Sequence, residues 1–290
     1  MSRQEDKASA LSRAIDGAIR GKPGDLYALL ARGSCLPGPR PNLELAERFA
    51  HACVERGASA DALVEGIATL DADHAPGATE LEFLPMCGVV AAGARGAADA
   101  SSVPRMLAIL LAAAEDLRWK VRDVVPAALA RIGASRGEAL LEGIAPWMTG
   151  FFPAAAVLLA VARNEWLPRI TTTDLLLSRL DEAFALARDA ERSAERYPGY
   201  KALVLALGTT PGVVATRFGR PVFDRLVVWS SVKEPMLREA VAKSVEGARL
   251  GRRFADEVAR VKKALEESAP VPRDPRTYVG PTRRRGRRSR

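Results

Sequence analysis

Eight arginines fall within the last 21 residues: Arg273, Arg276, Arg283, Arg284, Arg285, Arg287, Arg288 and Arg290, against one acid, Asp274. A guanidinium is planar and donates in pairs, which suits it to phosphate oxygens. Tyr278 adds one ring on which a base can stack. The segment holds a net +7 of the chain's +8, leaving +1 for the other 269 residues, so the basicity belongs to the terminus rather than to the body. Prolines 270, 272, 275 and 281 and glycines 280 and 286 work against a helix there. Fully extended, the segment reaches roughly 70 Å. If every arginine met a phosphate, the slope of log K against log salt would steepen by about 6–7. The chemistry points to nucleic acid, DNA or RNA. An acidic protein or membrane surface, and a plain solubility tail, are the alternatives.

Nothing comparable points to catalysis. The chain has two histidines, His51 and His74, and three cysteines, Cys35, Cys53 and Cys87. His51 and Cys53 are two apart on a helical stretch and so face different ways. The odd number and wide spacing of the cysteines fit buried, reduced thiols and no metal-ligand pattern. Gly208–Gly212, GTTPG, lacks the lysine of a phosphate loop. Asp71, Asp73 and Glu82 mimic a calcium loop, but its sixth position is Pro76 where the turn needs glycine. Arg40, in a proline-rich loop at 33–41, is a candidate ligand contact whose simpler reading is a solvated corner. The expectation is a binding protein with no metal or cofactor.

The longest apolar stretch, Val103 to Ala114, is interrupted by Pro104 and Arg105, so no membrane span is expected. The charged N-terminus lacks a secretory apolar run, which predicts a cytoplasmic protein.

The elements that must carry these residues read as helices throughout. Amphipathic spacing predicts helices over 4–20, 26–31, 81–94 and 103–115, one opening at Leu43 with a buried face through Cys53, one from the Ser59 cap to Leu70, and one within 115–133. It predicts further ones near 136–149, 152–166, 173–195, 199–208, 221–230, 234–250 and 252–267. Asn42, Ser59, Thr79 and Ser102 are the expected helix-starting caps. No alternating β-branched run supports a strand. Helices of one layer begin near 43, 81, 121, 155, 200 and 237, a period of about forty that signals an α-solenoid. Residues 1–268 then form one repeat domain and 269–290 a disordered basic tail.

The clearest repeat is Glu115–Gly133, EDLRWKVRDVVPAALARIG. Val121, Val124, Val125, Ala128, Leu129 and Ile132 form its apolar stripe; Gly133 is expected to end the helix and Pro126 to kink it. Offset by 116, Val121-Arg122-Asp123 matches Leu237-Arg238-Glu239. Asp116, Trp119, Val121 and Arg122 before an alanine-rich helix resemble a HEAT repeat, of armadillo type. That resemblance implies an all-α, right-handed α-α superhelix, with Asp116 and Arg122 in a ladder between neighbouring units. Val232 stands where the second copy's aspartate belongs, which should interrupt the ladder there.

HEAT-like solenoids include alkylpurine DNA glycosylases, and a similarity to them implies a further reading. Asp123 would be the catalytic carboxylate, stabilising positive charge beside Trp119, with Trp147, Trp166 and Trp229 lining the same groove. More generally Trp119, Lys120, Arg122, Arg163, Arg238 and Lys243 are candidate groove residues. Arg118, Arg131, Arg169, Lys233, Arg249, Arg252 and Arg253 could extend a basic stripe. The favoured function is non-enzymatic nucleic-acid binding by the tail and a concave helical face. A protein-interaction scaffold is the first alternative and a glycosylase the second.

Overall fold

The computed structural model describes residues 3–270 and is all-helical, with no strand among those residues. In chain order the helices are α1 (Arg3–Ile19), α2 (Gly24–Gly33), α3 (Leu43–Arg56), α4 (Asp61–Ala68), α5 (Phe83–Ala98) and α6 (Val103–Ala114). Next come α7 (Trp119–Arg136), α8 (Ala139–Gly143), α9 (Phe151–Val161), α10 (Asp174–Arg188) and α11 (Pro198–Leu207). The last are α12 (Thr210–Phe218), α13 (Arg220–Trp229), α14 (Pro235–Ser244), α15 (Ala248–Arg253) and α16 (Ala255–Glu267). No helix is long and apolar enough to cross a membrane among the described residues.

One file of helices runs through the molecule: α3 packs on α5, α5 on α7, α7 on α9, α9 on α11, and α11 on α14. These begin at residues 43, 83, 119, 151, 198 and 235, within a few residues of the starts that the spacing predicts. A second set flanks them, with α4 and α6 against α5, α10 against α9 and α11, and α13 against α14 and α16.

Small residues set how closely the file packs. A Cβ on Gly93 of α5 would lie 2.6 Å from the Ala128 Cα of α7, and one on Gly88 would lie 2.4 Å from the Ala68 nitrogen of α4. Both approaches leave no room for a side chain. Neighbours therefore close over α5, which is buried without interruption from Phe83 to Gly96. Arg131 of α7 reaches Glu47 of α3 at 2.7 Å, joining the two helices on either side of α5.

Side chains also tie elements one period apart. Arg56 donates to the Ser12 hydroxyl (2.7 Å), Arg95 to Asp61 (2.7 Å) and Arg118 to the Ala75 carbonyl (2.7 Å). Arg136 donates to the Gly96 carbonyl (3.2 Å), Arg217 to that of Ile170 (2.9 Å) and Arg253 to that of Thr216 (2.9 Å). These six ties span 34 to 47 residues. Turn carbonyls thus accept from side chains that lie far along the chain.

Several expected boundaries move. Gly133 does not end α7; the helix continues to Arg136 and stops at Gly137, whose φ of 60° favours glycine. Gly133 is instead a seat for Trp166, since a Cβ there would stand 2.1 Å from the indole. Helix α7 also runs through Pro126 as one element. Asn42 and Thr79 do cap, accepting from the Leu45 and Leu81 nitrogens. The expected caps Ser59 and Ser102 do not: their hydroxyls donate to the carbonyls of Arg56 and Asp99. Residues 210–218, for which no helix is expected, form α12.

Candidate functional site

The turn into α7 gathers most of the candidate residues, and the structure uses them differently from expectation. Asp116 accepts from the Arg118 backbone (2.7 Å) and guanidinium (2.6 and 2.8 Å). Burial works to raise the Asp116 carboxyl, but the Arg118 bonds prevail and hold it below the usual carboxylate range. The same guanidinium donates to the carbonyls of Leu70 (2.6 Å), Asp71 (3.1 Å) and Ala75 (2.7 Å) in the preceding unit's loop. Arg118, buried, thus ties the loop between α4 and α5 to the turn before α7.

Arg122 does not pair with the Asp116 carboxylate, so the expected ladder of Asp116 and Arg122 is corrected. Arg122 donates to the Asp116 backbone carbonyl and stacks 4.2 Å above the Phe152 ring of α9. Its counterpart Arg238 makes the equivalent bond to the Val232 carbonyl at 3.1 Å. A carbonyl serves in place of a carboxylate, and Val232 therefore interrupts nothing. Arg238 also donates to Ser230, Leu265 and Ser268, clamping the end of α16.

The other candidate cations are mostly engaged. Lys120 is buried and pairs with buried Glu82 at 3.3 Å. Arg163 pairs with Glu165 at 3.3 Å and Lys243 with Glu239 at 2.7 Å, both at exposed positions. Among the six groove candidates, Trp119 alone is exposed without a charge partner; it stands at 55 % exposure beside the Lys120 ammonium, 4.7 Å from its ring centre.

The tryptophans do not form a common groove. Trp166 is fully buried on Gly133 and donates to the Gly137 carbonyl at 3.0 Å. Trp229 is buried, stacks on Phe184 with centroids 4.3 Å apart, and donates to Asp181 at 3.1 Å. Trp147 is buried as well. All three are packing residues, as large apolar rings with one donor commonly are. Asp123 lies on the exposed side of α7, and crowding by the surrounding protein raises its carboxyl although Arg122 opposes the shift. It has no aromatic partner beyond Trp119, one turn earlier on the same helix.

Arg40 is exposed with no side-chain bond among the described residues. Cys53 and Cys87 are buried while His51 faces solvent, so no thiol–imidazole pair forms. A cleft of about 730 Å³ lies between α1, α2 and α3, bordered by Leu11, Leu29, Leu45, Arg32, Arg48 and His51. The His51 ring there pairs with Glu55 at 3.4 Å. Arg273, Arg276, Tyr278, Arg283, Arg284, Arg285, Arg287, Arg288 and Arg290 lie outside the described residues.

No family model, curated protein or solved structure matches the chain.

Proposed function

We propose that this protein is a HEAT-like α-solenoid whose task is non-enzymatic binding of nucleic acid, with the arginine-rich terminus as the main phosphate contact. The observation that carries the reading is the charge distribution: eight arginines and one acid in residues 270–290, against +1 over all the rest. The file of helices and the ties about one period apart support the solenoid. The engagement of Lys120, Arg122 and Arg238 inside the fold supports the terminus, rather than these groove cations, as the seat of affinity.

The test keeps the chain whole and replaces Arg283, Arg284, Arg285, Arg287, Arg288 and Arg290 by glutamine. Nucleic-acid affinity that falls steeply with salt in the native chain, and loses most of that steepness in the variant, is the expected result. Unchanged affinity in the variant contradicts it.

A protein-binding scaffold is the second reading, and a specific observation favours it. Trp119, Leu159 and Leu205 are exposed on α7, α9 and α11, three successive members of one file. Large apolar side chains left in water are the usual anchors of protein contacts. A glycosylase retains only Asp123 and Trp119 of its expected constellation; release of an alkylated base, abolished in Asp123→Asn, is the observation that would establish it.

A further inference from the structure

The arginines of the body fall into two groups. Some are bound to carboxylates, among them Arg56, Arg95, Arg105, Arg118, Arg131 and Arg260, which all sit in ion pairs. Among the exposed arginines that form no ion pair within the described residues are Arg169, Arg217, Arg220, Arg249, Arg252 and Arg253. They come from three turns that touch. Arg217, ending α12, donates to the Pro168 (3.2 Å) and Ile170 (2.9 Å) carbonyls on either side of Arg169. Arg253, ending α15, donates to the Thr216 carbonyl at 2.9 Å. Phe254 packs against Gly219, next to Arg220, where a Cβ would lie 3.4 Å from its ring.

We infer that this edge of the stack, built from the turns at 168–172, 216–220 and 249–254, binds the phosphate backbone of a nucleic-acid duplex. The inference rests on the nucleic-acid reading above and deepens it by naming a second contact surface. Turns of neighbouring packed helices stand about 8–10 Å apart. Cations on adjacent turns are then spaced by roughly two to three base-pair rises of about 3.4 Å. Two of the guanidiniums are held in place by carbonyl bonds and by aromatic rings, Arg217 at 5.2 Å from Phe218 and Arg253 at 5.0 Å from Phe254.

No local acid forms an ion pair with these six among the described residues. Glu138, which reaches this edge, is taken up by the Thr171 and Thr172 backbone N–H groups and the Thr171 hydroxyl. Asp174 and Asp256 sit in the first turns of α10 and α16, where they complement helix N-termini. With the six arginines set aside, the remainder of residues 1–269 carries a net −5.

The chemistry favours a duplex over the other polyanions. None of the exposed large apolar side chains, such as Trp119, Leu205 or Val228, lies in these turns, so an acidic protein would find no anchor. Phe218 and Phe254 are half-buried and face guanidiniums, so no free ring offers a base the stacking that single strands use.

The test uses the full chain. Arg169, Arg220, Arg249 and Arg252, which make no side-chain hydrogen bond, are replaced together by glutamine, and helicity and melting are checked. Binding to a 20-base-pair DNA duplex, the same length of RNA duplex, and a single strand is measured against salt. The expected result is an unaltered fold with a log K–log salt slope on duplex shallower by about 3, near one unit per lost contact. Replacing the paired cations Arg163 and Lys243 by glutamine should change it by less than one unit. An edge variant that binds duplex with the native slope, while the tail variant loses it, overturns the edge and leaves the tail reading standing. Preference for the single strand also overturns the edge. A native chain that binds none of the three overturns both. If the quadruple variant is destabilised, Arg249→Glu with Arg252→Glu on exposed α15 replaces it and should weaken duplex binding further; an undiminished slope there overturns the edge equally.

Discussion

The Arg118 guanidinium donates to the carbonyl oxygen of Ala75, 2.7 Å away and 43 residues earlier in the chain. With its bonds to Leu70, Asp71 and Asp116 it joins the loop before α5 to the turn before α7. Arg118→Ala strands three carbonyls and a half-buried carboxylate, and should lower stability by about 3–5 kcal/mol. Arg122→Ala removes one carbonyl bond and one ring contact and should cost less, about 1–2 kcal/mol. Urea unfolding of the two variants side by side checks the order; equal losses would contradict the assignment of Arg118 as the tie.

Two glycines on helices should respond with opposite signs. A Cβ at Gly133 collides with the Trp166 ring at 2.1 Å, whereas one at Gly66 of α4 meets nothing within 4 Å. Gly133→Ala should destabilise by about 1–3 kcal/mol through overpacking. Gly66→Ala should stabilise by about 0.5–1 kcal/mol by restricting the unfolded chain. Thermal melts decide the signs. The tryptophan emission of Gly133→Ala should also shift to the red as Trp166 is displaced.

The Asp123 carboxyl is raised above its ordinary 3.8, chiefly by desolvation. A raised acid contributes stability only while protonated, so this contribution is present below pH 3.8 and disappears as pH rises through the folded value. Asp123→Asn should therefore raise the melting temperature at pH 7 and leave it unchanged near pH 3. A lower melting temperature at pH 7 would mean that the charge has a partner the structure does not give it.

In the loop before α5, His74 Nδ1 lies 2.7 Å from the Asp71 carboxylate. The hydrogen bond with Asp71 raises the His74 pKa above 6.5, and bonds from the His74 backbone and ring lower that of Asp71. The pair's contribution is present between the two folded values; it fades as pH rises through that of His74 or falls through that of Asp71. Proton NMR of the His74 ring should give a midpoint above 6.5 that drops in Asp71→Asn.

Thiol reactivity should divide one to two. Cys35 is exposed, whereas Cys53 and Cys87 are buried, with burial pushing the Cys53 thiol up to about 12 and that of Cys87 well above 9. An aromatic disulfide reagent at pH 8 should titrate one thiol in the native protein and three after denaturation. Fast reaction of a second thiol in the native state would contradict the packing of α3 on α5.

The architecture was far more legible than the site. Apolar periodicity placed the file of helices because burial of one face is a property each segment carries alone: Val121, Val125 and Leu129 are fully buried, and Val241 and Val245 nearly so. At the two places matched by the 116-residue offset, Arg122 and Arg238 each bond the carbonyl six residues before them. What failed depended on partners far along the chain. Gly133 looked like a terminator because the Trp166 packed on it is 33 positions away. Gly208–Gly212 carries no amphipathic helix signal, yet Pro211 sits in the first turn of α12, where its missing N–H is harmless. Arg118 was one cation among twelve until the loop it holds was in place. The tryptophans suggested a groove by type alone, and burial assigns three of them to packing.

Duplex binding by the intact chain, followed from low to high salt, tests the account most directly. The account predicts a steep linear fall of log K with log salt, shallower by about 5 when the six arginines from Arg283 to Arg290 become glutamine. Affinity that ignores salt, or that survives this replacement with its slope intact, would contradict it.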